Sequence, residues 1–108
     1  MRKIKSEKEM TIADLWDLAM KTAAEATAES AERFQLPYMS AFALLKYIEK
    51  FAWNYVMECQ KSKGWMTRMY QAVVVEADRI AYKLARYLRT ADEKERSQLV
   101  AELDETLR

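Results

Sequence analysis

A chain of 108 residues with one proline and one glycine has few means of making loops. Proline lacks a backbone N–H and glycine supplies left-handed turns, so both gather at chain reversals. Here the two breakers, Pro37 and Gly64, cut the sequence into three stretches. That spacing predicts long helices joined by short turns.

The helix starts and stops support this reading. Thr11 and Asp14 in "TIAD" form a variant capping box, a hydroxyl three residues before an acid, so the first helix begins at Thr11. Its face of Ile12, Leu15, Trp16, Ala19, Ala23, Ala26 and Ser30 turns small after Trp16, which lets another helix approach closely. "QLPY" ends it, because Pro37 disfavours helical geometry at Leu36. A second helix is expected over 38–62, with Gly64 as its left-handed C-cap. A third spans 65–89, where Met66, Tyr70, Val73, Ala77, Ile80, Leu84 and Tyr87 step by four and three. "TADE", Thr90 to Glu93, reads as a capping box that restarts the chain. Leu99, Leu103 and Leu107 give the last helix a narrow apolar edge. The fold class is therefore all-α: an antiparallel bundle of three long helices plus a shorter C-terminal helix. Residues 1–10 carry charge without a core pattern and read as a basic flexible arm; residues 11–108 form one domain.

On the second helix, Ala41, Leu44, Leu45, Ile48, Phe51, Ala52, Tyr55, Val56 and Cys59 fill one broad arc, the core face. Lys46, Lys50, Asn54 and Lys61 lie opposite. Between them runs a strip of Phe42, Lys46, Glu49, Trp53 and Met57 that mixes large apolar side chains with charges. These apolar residues either pack beneath another helix of the same chain or form a contact surface for a second molecule, since Trp, Met and Phe are enriched at interfaces. Each ring buries ~150–250 Å², and a small bundle has limited room for three Trp, six Tyr and three Phe. Met57, Met66 and Met69 gather with Trp65 near the second turn and are candidates for an apolar contact site.

The third helix carries Arg68, Val75, Arg79, Tyr82, Arg86 and Arg89 on its outer side, with Lys83 on the flank and Asp78 the nearest acid. This is either a solvated face with cations near a helix C-terminus or an interaction surface, because arginine pairs bidentately with carboxylate or phosphate and stacks on rings. Residues 11–36 carry five acids against two bases, a net −3, and residues 61–89 seven bases against two acids, a net +5. An acidic protein surface, including the first helix of a second copy, would suit the arginines. Nucleic-acid backbone is the alternative, although the net charge of +1 is far from a strong basic footprint.

Much chemistry is excluded. Without histidine there is no Ser–His or Cys–His nucleophile pair, no Glu-x-x-His di-iron motif and no imidazole metal ligand. One glycine cannot build a phosphate-binding loop. Glu29 with Glu32, and Glu102 with Glu105, have a Glu-x-x-Glu spacing that could hold Mg²⁺, but no matching acidic pair sits on a neighbouring helix. No enzyme, metal or cofactor is expected. Lone Cys59 excludes an internal disulfide and fits a reducing compartment. The basic start lacks a following apolar segment, and no run approaches the ~18 residues of a membrane span; a cytoplasmic protein is expected. The functional expectation is a regulator, adaptor or inhibitor that binds another protein or itself as a homodimer. Phe42, Trp53 and Met57 would make its apolar contact, and Arg68, Arg79, Tyr82, Arg86 and Arg89 its polar one.

Overall fold

The structure is a computed structural model that describes residues 10–107. Four helices follow in order: α1 (Ile12–Arg33), α2 (Tyr38–Cys59), α3 (Trp65–Arg89) and α4 (Glu93–Leu107). The arm expected over residues 1–10 lies outside the described residues except for Met10, which packs against the core. No described helix is long and apolar enough to cross a membrane.

The capping box at Thr11 is present in both directions. The Asp14 N–H donates to Thr11 Oγ1 (3.1 Å), and the Thr11 N–H donates to Asp14 Oδ2 (3.0 Å). Other boundaries differ from the sequence reading. α1 stops at Arg33, before proline can act, because Gln35 takes a left-handed conformation (φ 54°). The Leu36 N–H then reaches back to the Ala31 carbonyl (2.9 Å) and the Gln35 N–H to that of Glu32 (3.2 Å), the bonding of a Schellman motif. α2 ends at Cys59, short of 62. Gly64 is left-handed as expected (φ 73°), but it occupies the N-cap of α3 and does not close α2. The box at Thr90–Glu93 does not form. Asp92 caps α4 instead, its Oδ1 accepting from the N–H groups of Lys94 (2.9 Å) and Glu95 (3.3 Å), and Thr90 Oγ1 accepts from the Asp92 N–H (3.2 Å).

Cross-helix pairs fix the directions. Trp16, early in α1, meets Trp53, late in α2, so these two run antiparallel. Along α3 Lys83 precedes Arg86, while their partners Glu102 and Glu95 come in the reverse order along α4. α1, α2 and α3 all pack on one another, and α4 lies mainly on α3 with a lighter contact to α2.

The core holds Leu15, Ala19, Ala23 and Ala26 of α1, Leu44, Ile48, Ala52 and Val56 of α2, and Trp65, Met69, Val73, Ala77, Ile80, Ala81 and Leu84 of α3. The small residues of α1 face inward as the sequence suggested. Ile12 and Trp16 do not, remaining 62% and 48% exposed. The α3 seam begins one residue earlier than read: Trp65 and Met69 are buried, Met66 is half-buried and Tyr70 is 50% exposed. A fully buried indole at the first residue of α3 closes that end of the core. Trp65 is also the one aromatic side chain among the described residues that is completely inside.

Candidate interaction surface

α2 presents two differently finished sides. On the side facing α1, Trp53 is half-buried and stands edge-on to Trp16, with ring centroids 5.1 Å apart. Met57 is half-buried against the core. Two of the three residues expected to make the apolar contact are thus used inside the bundle.

Phe42 behaves differently. It is 45% exposed, Tyr38 stacks against it at 6.4 Å, and the Lys46 ammonium lies 5.3 Å from its ring. Lys46 also pairs with Glu49 at 3.4 Å. Tyr38 and Met39, which the sequence analysis did not single out, are 78% and 74% exposed. They occupy the first two positions of α2, where there is no preceding helical turn to cover them. The signal was there to read: three large apolar residues within five positions of a helix start.

The outer face of α3 is less open in charge than its sequence suggested. Arg79 forms a bidentate pair with Glu76, Nε to Oε1 and Nη2 to Oε2, both at 2.8 Å. The Tyr47 hydroxyl donates to the same Glu76 carboxylate from α2. Burial, then the hydrogen bond to Glu76, push the Tyr47 phenol up to about 12. The Arg79 hydrogen bond holds the Glu76 carboxyl below its ordinary value against the opposing effect of burial. Arg86 pairs with Glu95 of α4, which raises the arginine further, and Thr90 Oγ1 donates to the other Glu95 oxygen (3.1 Å). Asp78 is taken by α1: it accepts from buried Ser30 Oγ (2.6 Å) and pairs with Arg33. The sequence reading set Asp78 as the nearest acid to the stripe; the structure instead gives Arg79 its pair in Glu76, three residues earlier on the same helix, and Arg86 its pair in Glu95, which arrives only on α4.

Arg68 and Arg89 donate to neutral carbonyls, those of Lys63 (2.7 Å) and Phe34 (3.0 Å). Tyr82 is 54% exposed and meets Phe34 edge-on at 6.1 Å, and Val75 is 66% exposed. Phe34, Tyr82, Arg86 and Arg89 line a shallow cleft of about 250 Å³ where the end of α1 meets the last turns of α3. The arginines of α3 act first as staples: to α4, to the end of α1 and to a carboxylate shared with α2.

Cys59 is half-buried on the core side of α2. Glu29, Glu32 and Glu105 are exposed, and Glu102 pairs with Lys83 at 3.4 Å. Among the described residues no group of three or more Cys, Asp or Glu is placed to hold a metal ion. No protein family, no curated protein sequence and no solved structure matches this chain.

Proposed function

We propose that this chain is a non-catalytic interaction module — a small regulator, adaptor or inhibitor — that binds another protein or a second copy of itself through the start of α2. The observation that carries this reading is the open cluster of Tyr38, Met39 and Phe42, at 78%, 74% and 45% exposure. Large apolar side chains grouped at one place are what a protein interface buries at its centre. Tyr38 and Phe42 are already stacked, and Lys46 braces the Phe42 ring. The pair therefore meets a partner with little side-chain freedom left to lose. An interface of standard size needs roughly 800 Å² from each partner, so three such residues form its hot spot and neighbouring surface its rim.

The nucleic-acid alternative has weaker support. Arg79 and Arg86 already carry carboxylates, and a phosphate would have to displace Glu76 or Glu95 to use them.

The test is self-association and capture with Tyr38→Ser plus Phe42→Ser. A wild-type mass near twice 12.7 kDa that falls to one chain in the double variant, with helix content unchanged, supports the homodimer. A monomer that retains a partner from its native cell only when both rings are present supports the heterotypic form. A monomer whose captured proteins are the same with and without the rings overturns the reading.

A further inference from the structure

α1, α2 and α3 pack on one another, and α4 lies on α3 with a lighter contact to α2. The α1–α2 pair therefore has an inner side closed by α3 and an outer side that no described helix covers. The two helices finish that outer side differently. Ser30 and Arg33 bond Asp78 and mark the α3 side of α1, while Trp16 meets Trp53 and marks its α2 side. At 3.6 residues per turn, Asp17, Lys21, Ala24, Ala28 and Glu32 fall on the face turned away from α3, and all five are exposed. The two alanines make the middle of this strip shallow, which lets another helix approach closely.

On α2 the corresponding strip holds Met39, Lys46, Lys50 and Met57, with Tyr38 and Phe42 along its α1 edge. Here the side chains stand proud: Tyr38, Met39 and Phe42 are 78%, 74% and 45% exposed. The charges divide in the same way. With exposed Glu25 on its flank, the α1 strip carries three acids against Lys21, and the α2 strip carries two lysines. Asp17, Glu25, Glu32 and Lys50 form no ion pair among the described residues, and Lys46 pairs only with its own neighbour Glu49.

One helix of the face is thus shallow and acidic, and the other is knobbed and basic. Each supplies what the other lacks, which is the requirement for a self-complementary, twofold interface. We infer that the occupant of this face is a second copy of the chain, related by a twofold axis along the bundle, so that α1 of each copy lies over α2 of the other. This names the occupant for the contact surface proposed at the start of α2, and it rests on that reading.

The register follows from the Trp16–Trp53 pair. α1 and α2 are antiparallel, so counting inward from that pair puts Ala31 level with Tyr38, and Ala28 within one residue of Phe42. A twofold along the bundle keeps these levels. Tyr38 and Phe42 of one copy then enter the hollow at Ala28 and Ala31 of the other. Lys46 comes within one turn of Glu25, and Lys50 within one turn of Asp17. A twofold across the bundle would stack α1 on α1 and α2 on α2, setting acid against acid and lysine against lysine. Two helices of 22 residues give a footprint of roughly 33 by 20 Å, comparable with the roughly 800 Å² that a standard interface takes from each side. Each copy has its own core, so dissociation leaves a folded monomer.

The test is sedimentation equilibrium on the full chain, with circular dichroism as the control for folding. Wild type should reach twice 12.7 kDa. Ala24→Arg plus Ala28→Arg fills the hollow without touching a ring, and should weaken the dimer a hundredfold or more. Lys46→Glu and Glu25→Lys should each weaken it about tenfold, because the symmetry applies each reversal twice. An equimolar mixture of those two variants should regain wild-type affinity, since each copy then meets the opposite charge at both contacts. The charge variants keep the test if the arginines disturb α1. A monomeric wild type whose captured protein still requires Tyr38 and Phe42 overturns the inference and leaves the contact surface standing. A dimer lost with Tyr38→Ser plus Phe42→Ser, yet indifferent to the alanine and charge variants, does the same. Association indifferent to Tyr38 and Phe42 removes both.

Discussion

Trp16 stands edge-on to Trp53, with ring centroids 5.1 Å apart and planes at 72°, so that the more exposed indole shields the less exposed one. Trp53 lies at the α1–α2 seam and Trp16 is its outer wall. An edge-to-face pair adds ~0.5–1.5 kcal/mol beyond the area it buries. Trp53→Ala removes both the pair and the seam packing and should cost about 3 kcal/mol in urea denaturation. Trp16→Ala should cost about 1–2 kcal/mol. Tyr38→Ser plus Met39→Ser, on the same helix but uncovered, should stay within about 0.5 kcal/mol of wild type. Equal costs at Trp53 and at Tyr38 would mean that the start of α2 is not the open surface described above.

The Tyr47–Glu76–Arg79 cluster makes stability depend on pH at both extremes. The folded Tyr47 pKa is raised from 10.0 to about 12. Its contribution is complete below pH 10, where both folded and unfolded chains hold the proton. It is lost as pH rises toward 12, because the unfolded phenol ionises first. Glu76 is lowered from 4.5, so its contribution is complete above that value and is lost as pH falls below it. Tyr47→Phe should therefore flatten the alkaline decline in Tm relative to wild type, and Glu76→Gln should flatten the acid decline. Parallel Tm curves for wild type and Tyr47→Phe between pH 10 and 12 would contradict the cluster as described.

Ser30 is 1% exposed and its hydroxyl donates to Asp78 at 2.6 Å, a buried polar link in the α1–α3 contact. Hydrogen bonds to charged groups contribute ~1.5–3 kcal/mol, and Arg33 from the same helix shares the Asp78 carboxylate. Ser30→Ala should cost about 1–2 kcal/mol, while Arg33→Ala, on an exposed pair, should cost under about 1 kcal/mol. In a double-mutant cycle with Asp78→Ala, which removes the acceptor, the Ser30 effect should largely disappear. Full additivity would show that Ser30 acts by packing alone.

The architecture was legible because the strongest signals in the sequence are local. Scarce breakers, the Thr11–Asp14 box and the core arc of Leu44, Ile48, Ala52 and Val56 each depend on residues a few positions apart. The α3 seam slipped because Trp65 and Met66 are both large and apolar, and periodicity alone cannot choose between adjacent registers; the end of the core chose Trp65. The arginine stripe was misjudged for a different reason. Glu95 reaches Arg86 only after α4 folds back, and Tyr47 joins Glu76 only across α2 and α3, so neither pairing has a signature along the chain. Phe42 was found on its wheel position, whereas Tyr38 and Met39 were passed over because a helix's first turn contributes little to a wheel. The expectation of surplus aromatic surface rested on ring count. Tyr38 and Phe42 are left exposed, whereas Trp53 is half-buried beside Trp16.

Gln35 ends α1 in a conformation that glycine adopts freely and glutamine does not. Its φ of 54° brings the side-chain Cβ close to backbone, at a cost of roughly 1–2 kcal/mol for an L-residue. The turn persists because the Leu36 and Gln35 N–H groups satisfy the Ala31 and Glu32 carbonyls and because Pro37 fixes the chain that follows. Gln35→Gly relieves the strain while keeping both backbone bonds. It forgoes only the long contact from Arg89 Nη2 to Gln35 Oε1 at 3.5 Å. Greater freedom of glycine in the unfolded chain offsets part of the gain. The net should be a stabilisation of about 0.5–1 kcal/mol, read as a rise in Tm of roughly 2–6 °C for a domain of this size. Gln35→Ala keeps the strain and should be neutral or slightly destabilising, and Gln35→Val, with its branched Cβ, should be worse. The order Gly above Gln above Val isolates the backbone as the cause. A glycine variant no more stable than wild type would mean that α1 does not end in this left-handed turn.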